Sequence, residues 1–322
     1  MLGSFLDATL DRTVVGGYTN VGYRLRRPWW HESDLTPMTG KTVLVTGATS
    51  GLGLAAADGF ARLGAELWLL ARDRKRGEDA RATVAEQSAG EVHLELCDLA
   101  DLASVRDFAQ RFTDRAPRLD VLVNNAGVMT AQRTRSADGI ELTFAVNVLA
   151  PFLLTELLLE PLRQAAPSRI INVSSGGMYA QRLRAADLQS EQGDFDGTAA
   201  YARSKRAEVI LTEMWARRLA NSGVAVHAMH PGWADTPGVR TSLPRFYRVT
   251  RPLLRTPAQG ADTIVWLGAA PEAATGSGAF WHDRARRPAY LLPGTRETPA
   301  DRERLWRVCE ELTGVEHARP DV

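Results

Sequence analysis

From Lys41 onward the chain alternates short apolar runs with longer helical stretches: TVLVTG, LAAADGFARLG, AELWLLA, DVLVNNAG and RIINVSSGG follow in order. That rhythm predicts a parallel sheet whose strands are joined by crossover helices. The strand segments are nearly continuous in Val, Leu and Ile instead of alternating with polar residues, as expected when helices cover both faces. We place strands near residues 42–46, 66–71, 91–97, 119–124, 168–174 and 223–229, with a seventh at 278–282. The fold class is therefore α/β, a single doubly wound parallel sheet of about seven strands spanning residues 40–285.

Two flanks fall outside this core. Residues 1–39 form a leader, with Leu2, Leu6, Leu10 and Val14 on one stripe of an amphipathic helix, followed by GGYTNVGYRLRRPWW. It reads as a strap on the body or as an interfacial segment lying peripherally on a membrane or a partner, although Asp7 and Asp11 oppose attraction to anionic lipid. Residues 286–322 form a C-terminal extension whose LWRVCEELTG closes as one helix and packs Cys309.

Charge excludes some functions. The 39 basic and 38 acidic residues nearly cancel, so no field is present to hold nucleic acid. Cys97 and Cys309 lack metal-ligand spacing and a disulfide framework, which points to no metal and to a reducing, cytoplasmic compartment. Neither a transmembrane stretch nor a secretory leader is evident.

The first βα turn reads Thr46-Gly47-Ala48-Thr49-Ser50-Gly51-Leu52-Gly53. Gly47 permits a tight turn, Gly51 lets backbone approach phosphates, and Gly53 lets the helix pack on the strand, while the helix N-terminus offers unpaired N–H groups. Three glycines in seven residues also make an ordinary loop. The strand before and helix after favour a dinucleotide, with Gly47, Thr49, Ser50, Gly51, Leu52 and Gly53 around its pyrophosphate.

The spacing Gly-x-x-x-Gly-x-Gly resembles the short-chain dehydrogenase/reductase family, which implies a Rossmann fold and a pyridine nucleotide. At the end of the second strand an acidic residue would select NAD(H). Ala71 holds that place and Arg72 follows, so NADP(H) is expected over NAD(H). The competing reading is that Arg72, Arg74, Lys75 and Arg76 only open a solvated helix, and Asp73 opposes a phosphate. Ser50 stands where some NADP-using relatives carry a second basic residue. The resemblance further implies that Asp98, with Leu99 beside it, meets the adenine, that Asn124 steadies the sheet, and that Asn125, Ala126 and Gly127 let the cofactor lie close. Pro231 and Gly232, after His230, and Thr236 fall where the family contacts the nicotinamide.

Lysine is scarce here: only Lys41, Lys75 and Lys205 occur among the basic residues. Lys205 stands four residues after Tyr201, one helical turn away. Carbonyl reduction needs a proton for the oxygen, a phenol's ordinary pKa is about 10, and a neighbouring ammonium lowers it. An exposed Tyr beside a solvated Lys is the bland alternative. The family resemblance implies that Tyr201 is the acid/base, that Lys205 also binds the nicotinamide ribose, that Ser175 and not Ser174 orients the substrate oxygen, and that Asn147 kinks its helix and holds a relay water.

Some motifs, SSGGM, DLQSEQGDFDGTAAYARSKR and MHPGWADTPGVR, resemble a narrower dehydrogenase/reductase grouping that includes member twelve of animals, near the retinol-dehydrogenase-like relatives. That implies a small lipophilic alcohol or carbonyl substrate. Met178, Tyr179, Leu183 and Phe195 should wall the pocket, and Trp233, Val239, Leu243, Phe246 and Tyr247 should form a lid, unless they are ordinary core. The helix through ELTFAVNVLAPFLLTELLLEPL is apolar nearly all round, which predicts a homodimer interface with the Tyr201 helix. A noncatalytic NADP-binding scaffold or redox sensor would share the cofactor half, and the intact Asn, Ser, Tyr and Lys set argues against it. No Gly-x-Ser-x-Gly elbow occurs, so a serine hydrolase is excluded.

Overall fold

Eight strands build one sheet in the order β3-β2-β1-β4-β5-β6-β7-β8. They are β1 Thr42–Thr46, β2 Glu66–Ala71, β3 Val92–Leu96, β4 Val121–Asn124, β5 Ser168–Val173, β6 Val224–Met229, β7 Phe280–His282 and β8 Ala285–Arg287. The computed structural model describes residues 13–315 together with Asp7, Leu10 and Asp11. Leu2 and Leu6 of the predicted stripe lie outside the described residues. The first seven strands run parallel, as the sequence predicts, and β8 turns back antiparallel on β7. The eighth strand escaped notice because three residues, ARR, carry no apolar run. It also moves the boundary drawn at residue 285, which falls inside β8.

Strand residues alternate between two buried layers. Leu44, Trp68, Leu70, Leu122, Ile170 and Val226 enter one core, while Val43, Val45, Leu67, Leu69, Val121 and Ile171 enter the other. Both faces are covered, which is why the strands read as unbroken apolar runs. The helices start where short polar side chains accept from backbone N–H groups. Asp101 caps Leu102–Arg115, Asp196 caps Gly197–Arg218, and Thr256 and Thr298 form capping boxes before Pro257–Ala269 and Pro299–Thr313. β1 pairs with β2 on one side and β4 on the other, so the chain reverses direction across the sheet at β1. A crevice at the carboxyl ends of β1 and β4 follows from that topology.

The leader straps the far end of the sheet. Helices Val14–Tyr18 and Asn20–Arg26, capped by Thr13 and Thr19, lead to a buried Arg26. Its guanidinium donates to the Gly16 carbonyl at 2.7 Å and to Asp283 Oδ2 at 2.9 Å. Arg255 grips the same carboxylate at 2.5 and 2.9 Å and donates to the Gly17 and Thr19 carbonyls at 3.2 Å. Asp283 and Arg284 form the β7–β8 turn with φ of 51° and 56°, a left-handed geometry that ordinary residues adopt only when held.

Burial within the single chain explains the apolar helix that suggested a dimer. Leu149, Phe152, Leu153, Leu154, Leu158 and Leu162 are fully buried. The Pro299–Thr313 helix covers them, with Trp306 edge-on to Phe152 at 4.9 Å and to Trp215 at 5.8 Å, and Cys309 buried beside them. The apolarity that motivated a subunit interface is therefore met by the chain's own C-terminal extension.

Candidate active site

After β1 the chain turns through Gly47, φ 66°, and Gly51, φ 56°, into the helix Gly51–Arg62. A Cβ on Gly53 would lie 2.3 Å from the Gly47 carbonyl oxygen, so only glycine lets the helix start this close to the strand. Ser50 caps that helix in position, but its side chain does not accept a helical N–H. The first N–H groups and the helix dipole thus face the turn between Thr49 and Leu52, and they fit the pyrophosphate of a dinucleotide.

The Asn124-Asn125-Ala126-Gly127 turn is tied to this one. Thr46 Oγ1 accepts from the N–H groups of Asn125 at 2.9 Å and Ala126 at 3.0 Å, and Asn125 Nδ2 donates to the Thr46 carbonyl at 2.9 Å. Asn125, predicted to let the cofactor lie close, thus serves as the brace between the two turns. Thr46, which sequence reading passed over as a site residue, is its partner. Asn124 donates to Asn172 Oδ1 at 2.9 Å, and Asn172 donates to Thr212 Oγ1 at 2.8 Å, a buried amide bridge across β4, β5 and the Tyr201 helix. Asp98 accepts from the Ala100 N–H at 2.9 Å, and Leu99 lies half-buried beside it at the end of β3.

Arg72 is exposed at the end of β2, after a buried Ala71. Asp73 is accounted for structurally: it caps Arg74–Ala85 by accepting from the Arg76 N–H at 2.8 Å. Arg76 reaches back across the glycine turn to Ser50 Oγ at 3.5 Å. A second guanidinium therefore stands at Ser50 although position 50 itself is not basic.

The proton-handling residues converge on the ends of β4 and β5. Tyr201 and Lys205 lie one turn apart on Gly197–Arg218, with Lys205 Nζ 5.7 Å from the centroid of the Tyr201 ring. Lys205 is buried, and it donates to the Val173 carbonyl at 2.9 Å and to Glu208 Oε1 at 2.7 Å. Burial opposes its charge, but Glu208 and then Tyr201 raise its pKa above the ordinary lysine value. Asn147 sits in a π-helical turn, Ala145–Leu149, the kink predicted from the resemblance. Its Oδ1 accepts from Val128 N–H at 2.8 Å and its Nδ2 donates to Ser204 Oγ at 2.9 Å. A Cβ on Gly127 would meet Lys205 Nζ at 3.3 Å and Asn147 Oδ1 at 3.4 Å, so both side chains meet over this glycine. Ser174 is buried and donates to the Lys205 carbonyl at 2.8 Å, whereas Ser175 is half-buried and accepts only from the Gly177 N–H at 3.2 Å. The second serine is the one with a hydroxyl left to donate.

The β6 loop completes the enclosure. Thr236 caps Pro237–Ser242, and its Cγ2 would stand 3.2 Å from a Cβ on Gly51, so this loop touches the glycine turn. Gly232, φ 74°, and Pro231 lie against Arg255, and the Trp233 N–H donates to the Tyr18 carbonyl at 2.7 Å. Tyr18 stacks on His230 at 5.1 Å, and a Cβ on Gly176 would fall 2.1 Å from its ring, next to Ser175. The leader thus walls the site, which goes beyond the strap on the body read from the sequence. His230 stacks on His282 at 3.8 Å and is buried, packed as a structural residue. The predicted pocket wall is corrected in part: Met178, Tyr179 and Leu183 are core residues, the first two packed with Val209, Ala228 and Phe280. Trp233 and Phe246 meet edge to face at 4.9 Å, joining the β6 loop to the helix Pro244–Thr250.

Comparison with known proteins agrees with this geometry. The short chain dehydrogenase family profile matches residues 41–245. The chain is 42% identical over 299 residues to Dehydrogenase/reductase SDR family member 12 of Bos taurus, covering 92% of this chain and 93% of that one. It is 39% identical over 300 residues to Retinol dehydrogenase 14 of Mus musculus, covering 86% and 87%. Among solved structures, the Pseudomonas aeruginosa RhlG/NADP active-site complex superposes with a TM-score of 0.64 at 26% identity, covering 78% of this chain and 96% of that chain.

Proposed function

The chain belongs to the short chain dehydrogenase family and is an oxidoreductase, and from that premise we propose that it reduces lipophilic carbonyl compounds with NADP(H), using Tyr201 as the general acid. The carrying observation is Lys205 Nζ held 5.7 Å from the Tyr201 ring at the end of β5. A bound nicotinamide supplies the hydride for the carbonyl carbon. As the carbonyl π pair moves onto oxygen, the Tyr201 hydroxyl gives its proton to that oxygen, and Ser175 donates to the same atom and orients it. A nearby ammonium favours a phenol's ionised form, so Lys205 stabilises the tyrosinate left behind. Reprotonation along Lys205 and Asn147 restores the phenol; the reverse sequence oxidises an alcohol.

Preference for NADP(H) is supported by Ala71 in place of an acidic residue, by the exposed Arg72 after it and by Arg76 at Ser50. A lipophilic substrate is supported by the leader's Tyr18 against Gly176, next to Ser175, by Trp233 and Phe246 packed in succession beyond it, and by the likeness to a retinol dehydrogenase. Exposed Val21, Leu25 and Trp29 recur every fourth residue on the leader, which supports peripheral contact with a lipid surface. Among the described residues no helix is long and apolar enough to cross a membrane. Buried, unpaired Cys97 and Cys309 support a reducing cytoplasmic setting. The test is nicotinamide oxidation by the purified chain with short- and long-chain aldehydes and ketones, run with NADPH and NADH in parallel. Rates rising with chain length and favouring NADPH support the reading; no oxidation of either nucleotide with any carbonyl rejects it.

A further inference from the structure

Glu208 lies three residues after Lys205 on the same helix, and both side chains are almost wholly buried. Its Oε1 accepts from Lys205 Nζ at 2.7 Å, while Oε2 has no hydrogen-bond partner among the described residues. Glu208 also lines a small cavity with Thr46, Asn124, Ala126 and Asn172, directly behind the glycine turn. An ammonium has three N–H donors. Two are taken by Glu208 and the Val173 carbonyl, which leaves one to point toward Gly127 and the crevice.

We propose that Glu208 is the positioning and counter-charge residue for Lys205, fixing the direction of its free N–H and keeping it protonated in a site closed to water. The proposal rests on Lys205 acting as assigned above. A lone buried ammonium loses its proton easily because burial disfavours the charged form, and a carboxylate in contact reverses that. Among the described residues lining this cavity no other charge competes for Glu208: β4 presents Asn124, β5 presents Asn172, and the helix Ala150–Leu157 presents Pro151 and Leu154. Tyr201 is the other titratable group acting on Lys205. Burial pushes the Glu208 carboxyl itself up to about 7, against the pull of Lys205, so the pair is fully ionic only on the alkaline side of neutrality.

Lys205 is one of three lysines, so its side-chain NMR signal can be followed through a pH titration of the full, cofactor-free chain. Lys205 should lose its proton above the ordinary lysine value. In Glu208→Gln, which keeps shape and an accepting oxygen but loses the charge, the Lys205 midpoint should fall by more than one pH unit. In carbonyl reduction, which needs Lys205 charged, the alkaline limb of kcat/KM should move down with it. Glu208→Asp should return the limb toward that of the natural chain. An unchanged Lys205 midpoint in Glu208→Gln overturns the proposal; if that variant fails to fold, a natural-chain Lys205 that titrates below the ordinary lysine value of about 10.4 overturns it. Because the titration needs no turnover, a shifted midpoint in a protein that oxidises neither NADPH nor NADH would reject the assigned reaction and leave the counter-charge standing.

Discussion

The glycine-turn end of the sheet and the leader-covered end enclose the same crevice by opposite means. At the first, backbone shapes the site: Gly47, Gly51 and Gly53 clear space, and Thr46 and Asn125 brace two turns with hydrogen bonds of about the same length. At the second, buried side-chain charge shapes it, with Arg26 and Arg255 converging on Asp283 in a left-handed turn. A backbone site tolerates changes around it but no added atom within it. A charge-built site is sensitive in addition to loss of a partner, because a charge removed leaves another buried and undercompensated.

The largest expected effect follows from that contrast. Asp283→Asn leaves the buried Arg255 guanidinium without its counter-charge and Arg26 with Asp7 alone, and should cost about 3 to 5 kcal/mol of stability. The loss should show in urea unfolding, with the leader opened first to proteolysis and nucleotide affinity in the surviving fold little changed. Equal loss of nucleotide affinity would break the distinction between the two ends. Acid should act on the same end. Burial pulls the pKa of His227 down to about 4 and holds His230 and His282 well below the ordinary histidine value. A depressed folded pKa means stability complete above the unfolded value of about 6.5 and lost as pH falls from there, roughly 3 kcal/mol by pH 4 from His227 alone. Urea midpoints that stay constant between pH 7 and pH 4 would contradict this.

The converse change sharpens the other side. Gly53→Ala places a methyl 2.3 Å from the Gly47 carbonyl and should cost about 2 kcal/mol, seen as weakened nucleotide binding with the leader still protected from protease. Arg76→Ala should have the smallest effect, lowering the NADPH-over-NADH preference by about 1 kcal/mol in kcat/KM while leaving NADH kinetics alone. An unchanged preference would remove Arg76 from the nucleotide site.

The same contrast explains what could be read from the chain. The sheet, its strand limits within a residue or two, and the glycine turn were legible because they are local: each is a short run whose chemistry lies within its own few residues. Tyr201, Lys205 and Ser175 were legible through spacing and resemblance, and the structure brings all three to the ends of β4 and β5. The leader's place at the site was not, because Arg26 meets Asp283 across 257 positions and Tyr18 meets Gly176 from another distant part of the chain. Glu208 was passed over because a lone carboxylate three residues past a lysine reads as a surface pair until burial is known. The burial of the apolar helix within the chain was not legible for a related reason: Leu305, Trp306 and Cys309, which pack in the same core, lie far along the chain.

The most direct test of the central claim follows the transferred atom. With NADPH deuterated at the transferring position and a long-chain aldehyde, the natural chain should place deuterium on the alcohol carbon, while Tyr201→Phe should bind the nucleotide normally yet transfer it about a thousandfold more slowly. Equal transfer by the two proteins would mean that the proton comes from elsewhere and that the tyrosine and lysine on this helix are not the machinery described here.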